Sequence, residues 1–367
     1  MINPHLDLPA KLYAVPGFEI SVYFQNIVRV INPANYAFDV KCAKGRCDAL
    51  RWRWTPQDGD VGSHKLGISV WSDEGELAYG ETEVVVSPRN AGAGQTVNYL
   101  AIGASCAVAA GHGEALFARF QSENDPHFNM LGSHAPGYGP VTPGGPAVEA
   151  FGGWTWQTFF VKTKTEQLSN DGLHPARPYD VPSPFLFLKN GAFEFDFKAY
   201  LEKYCNGVRP DVVTFELGVN SVFRCQTDEE FDAIVRSEVT PCMEKMFQHI
   251  RQEVPDVIFG IDLIPTGSWS QDAFGNNYQC DYTRRRWLRN AELLRAYYTK
   301  EQERLGFSVI PCYVNNDGDA NYPKVLEPRF AGSRELVERA SNAVHPTPEG
   351  FVQWADSEYF WIKSLLK

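Results

Sequence analysis

The chain has 367 residues, with 44% apolar and 22% charged residues and a net charge of −11. That length suits about two domains with real cores, and the balance excludes a disordered or fibrous chain. The acidic charge disfavours a nucleic-acid partner, and no apolar run reaches the ~18–20 residues of a membrane span.

No basic-then-apolar signal segment opens the sequence at Met1-Ile2-Asn3-Pro4-His5. The expected location is secreted or periplasmic if such a segment has been removed, and otherwise cytoplasmic. Eight cysteines show no metal-type Cys-x-x-Cys spacing. Cys42 and Cys47 flank Lys44-Gly45 and either close a small loop or stay free thiols. No Gly-rich phosphate loop is present, and neither a metal nor a cofactor is expected. Arg284-Arg285-Arg286 falls in a helical pattern and reads as a solvated face or helix-end contacts.

Residues 1–89 carry β signals. Segments 18–24 and 66–71 alternate apolar and polar residues, and 81–87 is a last strand. Asn32-Pro33, Asp58-Gly59-Asp60 and Asp73-Glu74-Gly75 punctuate them. Short strands with regular turns predict a small β-sandwich with a structural or spacer role. Residues 90–96, containing Asn90-Ala91-Gly92-Ala93-Gly94, read as a linker with nothing to pack.

Residues 97–367 alternate strand and helix. Strands are expected at 99–105, 127–131, 211–217, 257–263 and 307–311. Helices are expected at 107–120, 227–252, 283–304 and 349–366. This order predicts a parallel sheet covered on both faces, with ligands at the carboxyl ends of its strands. The stretch 132–195, rich in Gly, Pro and aromatics, is long enough to be functional and is read as the substrate wall. Trp154 and Trp156 are its candidate wall residues. With Phe159 and Phe160 they form either a stacking surface for a sugar or packing beneath the loop.

Four pieces fall at element ends. Ser105 follows the first strand, Gly153 lies in the long stretch, Asn220 follows the third strand, and His345 precedes the last helix. Acyl transfer needs such a set: a hydroxyl nucleophile, an imidazole to take its proton, and donors for the developing oxyanion. Cys106, one residue on from Ser105, is expected to point away into the core. His134 and His174 are isolated loop histidines with no catalytic role expected.

These pieces resemble the blocks of the SGNH (GDSL-type) hydrolases. Ile102-Gly103-Ala104-Ser105 resembles the first block and Phe151-Gly152-Gly153-Trp154-Thr155-Trp156 the second. Leu217-Gly218-Val219-Asn220 resembles the third, and Ala343-Val344-His345-Pro346-Thr347-Pro348-Glu349-Gly350-Phe351 the fifth. The resemblance covers roughly residues 97–367. It implies a three-layer, flavodoxin-like α/β domain with a parallel sheet. Residues 1–89 resemble bacterial Ig-like domains, and the pairing resembles a subgroup of bacterial SGNH proteins. The implied roles are Ser105 as nucleophile, His345 as base, and Ser105, Gly153 and Asn220 as the oxyanion hole. The implied substrate is a short acyl ester, such as acetyl on a carbohydrate.

Three acids of the family pattern are missing. Ala104 stands before the serine, Ser221 after the asparagine, and Asn342 three residues before the histidine. The last bears on mechanism, because Asp→Asn in a Ser-His-Asp triad costs ~10⁴ in turnover. Three readings stay open. In one, Ser105 and His345 form a dyad, with a backbone carbonyl or the Asn342 oxygen holding the imidazole. In another, Asp317, Asp319, Glu338, Glu216 or Asp262 replaces the acid. In the last, a weakened enzyme serves as a carbohydrate-binding or surface protein.

Overall fold

The computed structural model describes residues 5–30, 32–109, 111–163 and 181–367. Among the described residues the N-terminal region forms seven strands: β1 (Lys11–Ala14), β2 (Ile20–Tyr23), β3 (Ala37–Lys41), β4 (Arg46–Cys47), β5 (Arg51–Trp54), β6 (Gly62–Ser72) and β7 (Gly75–Val86). They make a four-stranded sheet, β1-β7-β6-β3, and a three-stranded one, β2-β5-β4. β1 joins β7 in parallel; the remaining pairs are antiparallel. Leu66, Ile68 and Val84 of the larger sheet and Val22 and Trp52 of the smaller are buried. Burying these side chains contributes about 1.5–3 kcal/mol each before entropy is counted.

Residues 90–96 are not a bare tether. Ala91 is buried, its carbonyl accepts from Lys363 Nζ, and Gly92 N–H donates to the Lys367 carbonyl at 3.0 Å. The segment is pinned to the end of the chain because its small residues allow close approach. All eight cysteines are free thiols, Cys42 and Cys47 included.

The rest of the chain is built on a parallel sheet. Its strands are β8 (Thr96–Gly103), β9 (His127–Leu131), β10 (Glu149–Ala150), β13 (Val212–Glu216), β14 (Ile258–Asp262) and β15 (Ser308–Ile310); β11 (Leu186–Lys189) and β12 (Ala192–Phe195) form a separate hairpin. β9 and then β10 pair along one edge of β8, and β13, β14 and β15 follow on the other. Residues 97 and 99–102, like those of β13, are buried, the continuous apolar pattern of strands covered on both faces. The chain leaves β8 to one side for β9 and returns on the other for β13. The carboxyl end of β8 is therefore a topological switch point, where open α/β sheets bind ligands.

The expected helix at 107–120 is broken into Ser105–Val108 and His112–Arg119, with Gly111 between them at φ +120°. The expected helix at 227–252 is Asp228–Ile234, a π-helical turn Val235–Val239, and Thr240–Glu253. Pro241, which has no N–H to donate, sits just beyond that turn. Helices Arg284–Leu305 and Pro348–Leu365 match expectation, capped by Thr283 and Thr347. Sequence reading overlooked helix Gln271–Tyr278 and the hairpin of β16 (Lys324–Pro328) and β17 (Leu336–Ala340). His174 lies outside the described residues. Among those described, no helix is long and apolar enough to cross a membrane.

Candidate active site

Ser105 sits where β8 turns into the short helix Ser105–Val108. The turn is close-packed. A Cβ on Gly103 would lie 2.5 Å from Ala107 Cβ, so only glycine fits there. Ala104 N–H donates both to the Glu216 carbonyl (3.1 Å) and to Glu216 Oε2 (2.9 Å). Ala107 N–H reaches the same Oε2 at 3.3 Å. Glu216 is buried, and desolvation pushes its carboxyl up to about 7 despite the backbone donors and the nearby His112.

Asn220 follows β13 through Gly218, whose φ of +98° and closeness to the Tyr298 hydroxyl require glycine. Its Nδ2 donates to the Trp154 carbonyl at 2.9 Å, tying the 218–220 turn to the 151–156 turn. An amide carries two N–H donors, so one remains for a ligand. Ser221 Oγ donates to Glu238 Oε1 at 2.7 Å.

His345 lies in the loop entering helix Pro348–Leu365. Asn342 Oδ1 accepts from the backbone N–H groups of Val344 (3.1 Å) and His345 (2.9 Å). Both lone pairs of that oxygen are thereby used. Asn342 thus holds the backbone beneath His345. Asn277 Oδ1 accepts from Ala343 N–H, and Ser268 N–H donates to the Ala343 carbonyl at 2.8 Å.

Ser105, Gly153, Asn220 and His345 all line one cavity of about 410 Å³. They come from four separate stretches and meet at the switch point. Cys106 is buried in the core as expected, although it also borders the cavity, and its Sγ contacts the Val344 carbonyl at 3.8 Å, linking the serine turn to the histidine loop. Burial and the Glu216 charge push this thiol well above its usual range, although the Ser105 hydroxyl opposes them. A protonated thiol is a poor nucleophile.

Of the five acids considered as replacements, Glu216 alone lines the cavity. Asp317 Oδ1 accepts from the Asp319 and Ala320 N–H groups, and Asp319 pairs with Lys324. Glu338 is exposed on β17. Asp262 is buried against Glu358 and Cys312, and its carboxyl is raised well above the ordinary range, mainly by burial.

Trp154 and Trp156 do not wall this cavity. Trp154 is buried and stacks on Phe151 at 4.1 Å between ring centres. Trp156 is 0% exposed, packs on Phe215, and donates from Nε1 to the Tyr298 hydroxyl, which donates to the Leu217 carbonyl. Apolar packing under the loop takes both rings, and Trp156 braces the Asn220 turn. The aromatic wall is instead Phe223, Tyr278, Tyr282, Trp287 and Trp354, with Arg224 and Asp281 beside them. Helical spacing at Trp287 and Trp354 marks these residues as buried, but nothing in the sequence says they face a cavity. His134 stacks on Tyr138 at 5.3 Å and is not part of the lining.

No protein-family model matches the chain, and no curated protein matches it. Solved structures give distant likenesses. A family 3 carbohydrate esterase from Clostridium thermocellum is 13% identical, over 74% of this chain and 98% of that one, with a TM-score of 0.39. An extracellular lipase from Streptomyces rimosus is 15% identical over 71% and 99%, with a TM-score of 0.37. Phospholipase A1 from Streptomyces albidoflavus NA297 is 12% identical over 73% and 98%, with a TM-score of 0.36.

Proposed function

We propose that this chain is a serine esterase of the SGNH (GDSL) type. The observation that carries the reading is the convergence of Ser105, Gly153, Asn220 and His345 on one cavity at the switch point of the sheet. Ser105 Oγ attacks the ester carbonyl while His345 takes its proton. The Ser105 and Gly153 N–H groups and the second Asn220 amide hydrogen receive the oxyanion, a set in which each donor is worth ~10²–10³ in rate. The carbonyl re-forms, His345 returns the proton to the departing alcohol, and an acyl-enzyme remains. Water, deprotonated by His345, then releases the acid and restores Ser105. No cofactor or metal enters this scheme.

The substrate we propose is a short acyl ester, acetyl above all, carried on a carbohydrate. The aromatic residues Phe223, Tyr282 and Trp287 border the cavity, and its volume of about 410 Å³ leaves room beyond the acyl group. The division into an Ig-like region at 1–89, a joining segment at 90–96 and a hydrolase domain at 97–367 belongs to the same proposal.

The second reading is a weakened SGNH-fold protein that binds carbohydrate without turning it over. Asn342 favours it, since an amide stands where the resemblance implies a carboxylate. Labelling by a fluorophosphonate separates the two and needs no guess at the substrate. Wild type should be labelled on Ser105 and Ser105→Ala should not, with p-nitrophenyl acetate hydrolysis following the same pattern. An unlabelled, inert wild type would overturn the esterase reading.

A further inference from the structure

We propose that Glu216 is the positioning residue of the nucleophile, the buried acid that fixes the turn presenting Ser105. The assignment rests on the esterase reading above. A side chain of alanine at 104 cannot hold its own turn, and the resemblance implies an acid at that position. Glu216 reaches the same turn from the neighbouring strand. It is the last residue of β13, paired in register with Gly103, so its backbone and side chain both face the turn. Its carbonyl and Oε2 share the Ala104 N–H, and Oε2 also takes the Ala107 N–H at 3.3 Å.

These bonds bracket the serine. They fix the residue before it and the first turn after it, where a short helix leaves backbone donors without internal acceptors. The Ser105 N–H is not among the groups Glu216 takes, which leaves it for the oxyanion. Close packing makes the arrangement rigid. The Gly103 position has no room for a Cβ, with Glu216 Cβ 3.2 Å from where it would stand. Its Oε2 is committed to the serine turn.

The role depends on reach and an accepting oxygen, so the variants divide by geometry. Glu216→Gln keeps both. Glu216→Asp keeps the charge but draws the oxygens back by one methylene. Glu216→Ala removes the acceptor. We expect fluorophosphonate labelling of Ser105 and kcat on p-nitrophenyl acetate to fall ~10²-fold in the Asp and Ala variants, the cost of about 1 Å of misplacement. KM should change little, and Gln should restore most of the rate. Hydrogen exchange in a peptide spanning 103–109 should quicken in the Asp and Ala variants alone. If Ala does not fold, the Asp and Gln pair decides.

A folded Asp variant with wild-type labelling and wild-type exchange would overturn the assignment. If the wild type is itself inert while exchange follows the expected pattern, the esterase reading falls and the turn-holding role stands. If the wild type reacts and the variants match it on both measures, Glu216 falls and the esterase stands.

Discussion

The two turns that carry the candidate chemistry are held by opposite means. The serine turn is held by a buried ionisable acid, Glu216, one strand away. The histidine loop is held by neutral amides: Asn342 on Val344 and His345, and Asn277 on Ala343. The amide system extends further. Asn26, in the N-terminal region, donates to the Tyr313 and Asn316 carbonyls and accepts from Thr266 Oγ1 and Trp269 Nε1. Thr266 and Trp269 flank Ser268, whose N–H holds Ala343. The N-terminal region is thus hydrogen-bonded into the support of the histidine loop, more than the spacer its sequence suggests. The contrast predicts that pH acts on the serine side and mechanical disruption on the histidine side.

The strongest way to break that contrast is at Asn26. All four of its side-chain hydrogen-bonding positions are used, and it is buried. Asn26→Ala leaves buried carbonyls and donors without partners, each costing about 1–3 kcal/mol, so roughly 3–5 kcal/mol of stability should be lost. Urea unfolding measures it. A midpoint unchanged from wild type would show that the two regions are not coupled through this residue.

Next comes pH. Glu149, fully buried on β10 beside β8, is pushed up to about 7 by desolvation, as Glu216 is. Both folded values lie above the ordinary 4.5, so the folded chain binds these protons more tightly than the unfolded one. Their stability contribution is complete below about 4.5 and is lost as pH rises through about 7. Ser133 N–H donates to Glu149 Oε2 and Ser133 Oγ to Oε1; in a glutamine the amide oxygen can accept from the N–H while its NH2 donates to the Ser133 hydroxyl. Glu149→Gln should therefore be more stable than wild type at pH 8 by roughly 2–3 kcal/mol and nearly equal to it at pH 4. Thermal melts at the two pH values test this. Exchange corrected for intrinsic rates should rise with pH across 103–109 and stay flat across 341–347. Equal responses of the two peptides would erase the distinction between acid-held and amide-held turns.

Local signals carried the sheet. The apolar run at 99–102, ended by Gly103, and the mainly apolar stretch 212–215 read correctly as buried parallel strands. The placing of Ser105 and Asn220 at element ends followed from the same runs, and that of His345 from the helix after it. What the sequence hid was non-local. Nothing near Glu216 says that it reaches across one strand to Ala104, because strand register decides that. Trp154 and Trp156 looked like a wall because aromatics in a long loop suit both packing and binding, and the neighbours that settled the matter, Phe151, Phe215 and Tyr298, come from three stretches. The linker misled for a similar reason. Small residues signal flexibility, yet they are also what lets Lys363 and the chain end approach.

The amide side has its own smaller test. Asn342→Ala removes the acceptor for two backbone N–H groups in the half-buried histidine loop and should cost about 1–2 kcal/mol. Asn342→Asp keeps an oxygen there and should retain most of the stability. If both variants lose it equally, the loop is held by the amide nitrogen and not by the oxygen.

Ser221 gives the smallest effect and the sharpest limit. It stands where the resemblance implies the acid of the third block, and its hydroxyl donates to Glu238 Oε1 at 2.7 Å. Glu238 belongs to the π-helical turn Val235–Val239, so this bond ties the Asn220 turn to an irregular stretch of helix. The site is half-buried, and losing one charge-assisted bond there should cost about 0.5–1 kcal/mol. Ser221→Ala should shift the urea midpoint by that much. Activity should hold, because Asn220 is fixed independently through the Trp154 carbonyl. A large loss of kcat in this variant would mean that the Asn220 turn depends on Glu238. The site would then have three supports to explain, a buried acid, an amide network and a half-buried helix irregularity, and not the two compared above.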